Sequence, residues 1–399
     1  MLPQEETLRS AFPSLKQDQV FLDNAAGSQV LGAVISSISD YLLKSNVQLD
    51  ASYEASKEAT AAFDGAHDAC AKHINAHTDE IVLGPSTTQL LRNLASSLRF
   101  KPGDEMIVSA VDHEANIAPW VDLAARLHLN LKWWKPDDPR DPKLLARDLE
   151  ALLSADTKLV TCTHASNILG TITDVRSIAE AAHRVGALLC VDGVGYAAHR
   201  PIDVKHLGAD FYCISWYKVY GPHISMLYAS RAAQHQLRPL GHFFNSHVGL
   251  TEKMGLAGAS YELVQALPHV TEYLGAPGSS MWDAIVAQEQ RLQSTLIDYL
   301  VARPDVTIYG EPRADAAVRL STISFAVRGW NCQALVEAIE RRSSYGVRWG
   351  CNYAERLVRE MLGRGRDGVV RVSMLHYNTG KDDRSLYVQY LKTCADVEG

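Results

Sequence analysis

Several features that would announce a function are missing from this chain. No CxxC pair occurs among its 7 cysteines, which argues against a structural zinc site and against thioredoxin-type exchange. HExxH is absent and no other cluster has ligand spacing, so no resident metal is expected. GxSxG is absent too, and with it the serine elbow of many hydrolases. No apolar run approaches the length of a bilayer span, and Met1 to Phe12 carries charges without an apolar segment. Neither a membrane segment nor a secretory leader is therefore expected, and the expected setting is cytoplasmic. Basic surplus is lacking as well: 46 acidic side chains face 39 basic ones, for a net charge of −7. That gives no electrostatic reason to expect nucleic acid.

What is present is an ordinary globular chain of 399 residues, 47% apolar and 21% charged. The length favours two domains. From Ile81 to Tyr228, short apolar runs alternate with stretches of helical spacing. Strands are predicted at Ile81–Leu83, Met106–Val108, Leu129–Trp133, Leu159–Thr163, Leu188–Val191, Phe211–Ser215 and Ile224–Tyr228. Helices are predicted at Gln89–Leu98, Ile117–Leu127, Lys143–Leu153 and Val175–Val185. Continuous apolar strands separated by helices imply a mostly parallel sheet covered on both faces. The last two strands lack a long helix between them, so one of them is a candidate antiparallel strand. Cys162, Cys190 and Cys213 fall in these runs and read as small core residues.

After about residue 270 the pattern changes to a smaller α+β unit. It has a long helix at Met281–Ala302, a strand at Thr322–Val327, a helix at Gln333–Arg341 and a strand at Val369–Met374. The expected division is a large domain of residues 16–265 and a small domain of residues 1–15 and 266–399. The run Gly363 to Gly368 reads as a loop with solvated arginines.

In an open α/β sheet, ligands sit beyond the carboxyl ends of the strands. Those ends carry Ser86-Thr87-Thr88 opening a helix, Asp112-His113, Ser166-Asn167, Asp192-Gly193 and Ser215-Trp216-Tyr217-Lys218. Hydroxyls at a helix N-terminus suit an anion. A carboxylate and an amine in the same set suit a phosphorylated pyridine aldehyde: the carboxylate keeps the ring nitrogen protonated, and the lysine forms a Schiff base. The rival is a dinucleotide, since Gly193-Val194-Gly195-Tyr196-Ala197-Ala198 matches GxGxxA. Pro201 interrupts the helix which that reading needs.

Phe21 to Gly27, Asp112 to Trp120, His164 to Thr171, Val191 to Gly193, Tyr217 to Pro222 and Arg371 to Thr379 resemble the aminotransferase class V family, in its cysteine-desulfurase-like branch. A narrower likeness, at Lys132 to Trp134, Leu159 to His164, Asp210 to Lys218 and Leu227 to Arg231, is to fungal decarboxylative aldolases of the ustiloxin type. The resemblance implies the pyridoxal 5′-phosphate (PLP) fold type I, and a homodimer. It implies Lys218 as Schiff-base lysine and proton carrier, Asp192 as partner of the ring nitrogen and His113 as the stacking residue. Thr87, Thr88, Ser215 and Tyr217 fall at phosphate positions. Asn167 falls at a cofactor or substrate position. Arg371, with Ala26 and Gly27, falls where the substrate is held.

The chain departs from the desulfurase pattern in three places. The nucleophilic cysteine of the Arg-x-Gly-x-x-Cys loop is replaced by Tyr353, with Cys351 two residues early. The glutamine three residues after the Asp is Gly195. The histidine before the lysine is Tyr217. The ustiloxin-type reading predicts β-decarboxylation of L-aspartate to an enamine that adds to an aldehyde, giving a γ-hydroxy amino acid. The alternatives are a cysteine desulfurase releasing alanine and sulfur, and a catalytically silent PLP-binding protein.

Overall fold

The computed structural model describes residues 5–245, 249–255 and 258–379. Its larger sheet has seven strands: β1 (Ile81–Gly84), β2 (Glu105–Ser109), β3 (Asn130–Trp134), β4 (Thr157–Thr163), β5 (Leu188–Asp192), β6 (Phe211–Ser215) and β7 (Ser225–Ala229). They lie in the order β1-β7-β6-β5-β4-β2-β3, and β7 runs against the other six. Every residue of β2, β6 and β7 is buried, as strands covered on both faces must be. The antiparallel β7 follows from chain length: nine residues, 216–224, separate the end of β6 from the start of β7, too few for a crossover helix, so the chain doubles back as a hairpin. Cys162, Cys190 and Cys213 are fully buried.

Seven helices matter here: α1 (Gly32–Lys44), α2 (Glu54–His73), α3 (Thr87–Ser97), α4 (Ala118–Leu127), α5 (Val175–Arg184), α6 (Ser280–Val301) and α7 (Cys332–Glu340). Ser86 starts α3 by accepting from the Gln89 N–H at 3.1 Å, and Asp174 starts α5 by accepting from the Ser177 N–H at 3.1 Å. His128 ends α4 in the left-handed conformation, φ 56°. None of the described helices is long and apolar enough to cross a membrane.

The smaller sheet has four strands, β8 (Val306–Tyr309), β9 (Thr322–Val327), β10 (Arg348–Gly350) and β11 (Val369–Ser373), in the order β10-β11-β9-β8, all antiparallel. Ahead of them, Val20–Phe21 pairs in parallel with Tyr345–Gly346, and a bridge from Asp23 to Ser373 lays the N-terminal segment beside β11. Phe12 seals that junction edge-on to Tyr220 and Tyr273 at 5.6 Å each. Residues 1–4 and 380–399 of the expected small domain lie outside the described residues.

Two expectations need correction. The stretch Lys143–Leu153 forms a helix only at Ala146–Glu150. Lys143 turns away instead to pair with Asp141 at 2.8 Å and Glu311 at 3.1 Å, and Leu144 is buried ahead of the helix. The arginines of the Gly363–Gly368 loop are not both solvated: Arg364 donates to the Gly368 carbonyl at 2.9 Å and pairs with Asp367 at 2.9 Å.

The two sheets meet at the loop after β4. Arg319, fully buried, donates to the carbonyls of Thr322 (2.8 Å), Leu320 (3.3 Å), Leu169 (3.4 Å) and Glu311. Gly170 adopts φ +70°, and a Cβ there would lie 2.3 Å from the Thr322 carbonyl oxygen. Gly170→Ala is therefore expected to lower the thermal midpoint by roughly 5 °C, through left-handed strain plus the steric shift. An unchanged melting curve would refute this account of the junction.

Candidate active site

The loops at the carboxyl ends of β4, β5 and β6 converge with the start of α3 on one cavity. Its lining includes Thr87, Thr88, His113, Asn167, Asp192, Ser215, Tyr217 and Lys218, eight of the residues singled out from sequence. Ser86, Ala115, Thr163, Ala165, Val194 and Gly195 also line it.

The hydroxyls are organised by the hairpin. Register pairs Ser215 with Ser225, and their hydroxyls lie 3.0 Å apart. Thr87 Oγ1 reaches Ser215 Oγ at 2.7 Å. These groups stand at the first turn of α3, where backbone N–H groups have no carbonyl partner within the helix. This end of the cavity is built for an anion.

The opposite character holds at Asp192. The carboxylate is 5% exposed and accepts the Val194 N–H at 2.9 Å. Burial pushes its pKa up, and the charge on Lys218 opposes that rise. Behind it Asp112 is buried and accepts from the Asn116 side chain (2.7 Å) and the Thr163 N–H (3.0 Å). Burial, with Asp192 adding to it, raises Asp112 to about 7.

Lys218 ends a 3-10 turn, Trp216–Lys218, immediately after β6. Its ammonium makes no ion pair among the described residues, and it lies 5.7 Å from the Tyr217 ring centre. Burial and then the Arg371 charge lower its pKa from 10.5 to about 8, while Asp192 and Asp23 hold it up. His113 accepts the Ala115 N–H at Nδ1 (3.1 Å), and burial, Lys218 and Arg371 lower it to about 4. It is a neutral, flat ring at ordinary pH. Tyr217 stacks on His223, centroids 4.9 Å apart and nearly parallel at 4°.

Arg371, 2% exposed, lies outside the cavity lining and is tied to it through Asn167. It donates to Asp23 at 2.8 Å and to the Asn167 carbonyl at 3.1 Å, and its Nε has no partner among the described residues. Asp23 also holds Arg348 at 2.6 Å. Sequence reasoning missed this acidic hinge between two arginines, because residues 23 and 371 meet only through the bridge beside β11. Ala26 and Gly27 sit outside the cavity lining, in the turn packed on Tyr217. A Cβ on Gly27 would touch that ring at 3.4 Å. Asn167 donates from its side chain to the Asn352 carbonyl at 2.9 Å. The GxGxxA segment opens no helix: β5 ends at Asp192 and the chain turns through residues 194–199. A Cβ at Gly195 would lie 2.6 Å from the Ala165 carbonyl oxygen. No group of three or more His, Cys, Asp or Glu residues among those described is placed to hold a metal.

Among the described residues, a buried carboxylate without a cationic partner, an amine without a carboxylate and a hydroxyl-lined helix start fit one group, which carries a basic ring nitrogen, an aldehyde and a phosphate. The Arg371 Nε, without an acceptor among those residues, suits the carboxylate of a substrate. The aminotransferase class-V family model matches residues 20–384.

The chain belongs to the aminotransferase class-V family.

It is a PLP-dependent enzyme of PLP fold type I. Relatives of this class-V enzyme include "Aminotransferase-like protein FGM3" of Gibberella zeae, 56% identical over 94% of each chain. Another is "Cysteine desulfurase-like protein ustD" of Aspergillus flavus, 38% identical over 95% of this chain and 88% of that one. The apo cysteine desulfurase of Thermococcus onnurineus NA1 superposes with a TM-score of 0.88 at 24% identity, covering 100% of this chain and 98% of that one. That likeness carries the fold.

With the Lys218 pKa near 8, the fraction of free amine rises as pH climbs through 8. Binding of PLP to the apo class-V enzyme, followed by absorbance, is expected to accelerate with pH and to be half-maximal near 8. Arg371→Gln removes a depressing charge, so the midpoint moves upward. A midpoint unmoved or lowered by that change counts against the electrostatic account. Borohydride trapping is expected to label the peptide holding Lys218; a label elsewhere refutes the assignment.

Proposed function

We propose that this class-V enzyme removes the β-carboxylate of L-aspartate and joins the remaining carbon nucleophile to an aldehyde, yielding carbon dioxide and a γ-hydroxy amino acid. One observation carries the reading: the loop that would bear a desulfurase nucleophile offers none. Tyr353 stands at the cysteine position. Cys351 is 8% exposed, its Sγ lies 3.7 Å from the Gly365 carbonyl, and burial raises its pKa. A thiol of that kind is a poor nucleophile. Loss of carbon dioxide from Cβ needs no protein nucleophile, so the rest of the site keeps a use. The ustiloxin-type sequence likeness supports the same reading.

Thr87, Thr88, Ser215 and Tyr217, with the first amides of α3, would hold the PLP phosphate. Asp192 would pair with the ring nitrogen, His113 would lie on the ring, and Lys218 would hold the aldehyde carbon covalently. When bound, PLP supplies an electron-accepting ring that stabilises negative charge on the amino acid attached to it. The chain's own groups do the rest. The Lys218 amine, near 8, would take the proton from Cα and hold it on Nζ, with little driving-force penalty near neutral pH. The neutral His113 imidazole adds no charge to repel it. Arg371, poised by Asp23, holds the α-carboxylate, and Asn167, bound to Arg371 through its carbonyl, positions the donor beside it. Ala26 and Gly27, in the turn packed on Tyr217, would border the substrate in this reading. The working form in this reading is a cytoplasmic homodimer, with a large domain of residues 16–265 and a small domain of residues 1–15 and 266–399.

The experiment is a product screen. L-aspartate with an aromatic or aliphatic aldehyde is expected to give carbon dioxide in an amount equal to the hydroxy amino acid plus any alanine formed. Sulfide and alanine from cysteine, abolished by Cys351→Ala, would restore the desulfurase reading. A colour band that no amino acid perturbs would indicate a silent binding protein. Arg371→Ala is expected to raise KM for aspartate about 100-fold while PLP stays bound; loss of the cofactor would show the arginine misplaced.

A further inference from the structure

The loop Gly350 to Tyr353 carries a feature that the loss of a nucleophile does not explain. Two successive non-glycine residues, Asn352 (φ 47°) and Tyr353 (φ 61°), stand in the left-handed region. A left-handed pair of this kind persists only where the surroundings over-determine it. Here they do. The Asn167 side chain donates to the Asn352 carbonyl at 2.9 Å, and the Glu114 N–H donates to the Tyr353 carbonyl at 2.7 Å. Arg356 then ties the loop's far end to Glu114 at 2.5 Å while its guanidinium lies 4.8 Å over the Trp133 ring. Both donors to the loop belong to active-site segments. A swinging nucleophile needs a free loop, and this one is fastened.

What the fastening presents is a ring. Tyr353 is 74% exposed, yet it lies 5.2 Å from the His113 imidazole at an interplanar angle of 27°. One side of the phenol is therefore stacked on a ring that lines the cavity, and much of the rest is uncovered. The other rim of the site is the charged set Arg371, Asp23 and Arg348. The two rims suit two different molecules: the charged one an amino acid's carboxylate, the aromatic one an uncharged, flat partner.

On the basis of the decarboxylative reading above, we propose that Tyr353 is the specificity-determining residue of the acceptor subsite, stacking an aromatic aldehyde beside His113. The chemistry gives the site a purpose. Cleavage of the Cβ–carboxylate bond releases carbon dioxide and leaves the electron pair on Cβ. That pair either takes a proton, giving alanine, or bonds to the aldehyde carbon, whose oxygen then takes the proton and becomes the γ-hydroxyl. Which fate wins depends on whether an aldehyde is already in place when the pair appears. A stacked acceptor shifts the split toward carbon–carbon bond formation. An aliphatic aldehyde gains little from the ring.

The test uses the PLP-loaded enzyme, L-aspartate, and two probes, benzaldehyde and acetaldehyde. The alanine-to-hydroxy-product ratio and KM are measured for each in the parent enzyme, Tyr353→Phe, Tyr353→Leu and Tyr353→Ala. Tyr353→Phe keeps the stack and is expected to stay within about two-fold of the parent. Tyr353→Ala is expected to raise both KM and the alanine ratio roughly ten-fold with benzaldehyde, and less than three-fold with acetaldehyde. Tyr353→Leu keeps apolar bulk without stacking and is expected to fall between them. Equal losses with both aldehydes, or none with either, overturn the acceptor role while leaving decarboxylation standing. Absence of carbon dioxide from aspartate in the parent enzyme overturns the underlying reaction and this inference with it. A merely unfolded variant is recognised by its melting curve, and Tyr353→Phe then decides.

Discussion

Asp192 and Lys218 line one cavity, feel each other's charge and make no ion pair. Burial makes each uneasy in its charged form: it raises the acid and lowers the base. A direct salt bridge would relieve both and leave the site inert. The sheet prevents it by spacing. Asp192 ends β5 and Lys218 follows β6 by a 3-10 turn, so the two groups are fixed on separate backbones with a gap between them. Arg371 completes the arrangement by pressing the lysine further toward the neutral amine. The fold holds three charges in mutual tension, and a ligand that supplies the missing partners relieves all of them.

The parts legible in the sequence were those set by local chain chemistry. Seven strands stood out as apolar runs, and the hydroxyls, histidine, aspartate and lysine stood at their ends, where strand order alone brings them together. The antiparallel β7 was visible as a missing crossover. Helices α1 and α2 escaped because α2 buries alanines and one cysteine, Ala59, Ala66, Cys70 and Ala71, and small side chains give faint periodicity. The helix expected at Lys143–Leu153 was lost to ion pairs with Asp141 and with Glu311, a residue 168 positions away from Lys143. The partnership of Asp23 with Arg371 and the stacking of Tyr353 on His113 also span the length of the chain. No window of sequence contains them.

The comparison with desulfurases turns on loop mechanics as much as on residue identity. Arg348 and Gly350 keep their places in the pattern, and β10 carries the loop to the cavity's edge. From there the hydrogen bonds from Asn167 and Glu114 fasten it. Cys351 is buried, with its Sγ 3.7 Å from the Gly365 carbonyl oxygen.

Gly195 sets how closely two loops of the site approach each other. Without a side chain there, the backbone after Asp192 has settled against the Ala165 carbonyl, closer than any Cβ tolerates. Tyr196 has meanwhile turned its ring flat onto His164, 3.6 Å away. A glutamine there would require the two loops to part before its side chain could fit. The segment after Asp192 and the loop after β4 are thus locked together at a spacing that only a residue without a side chain permits.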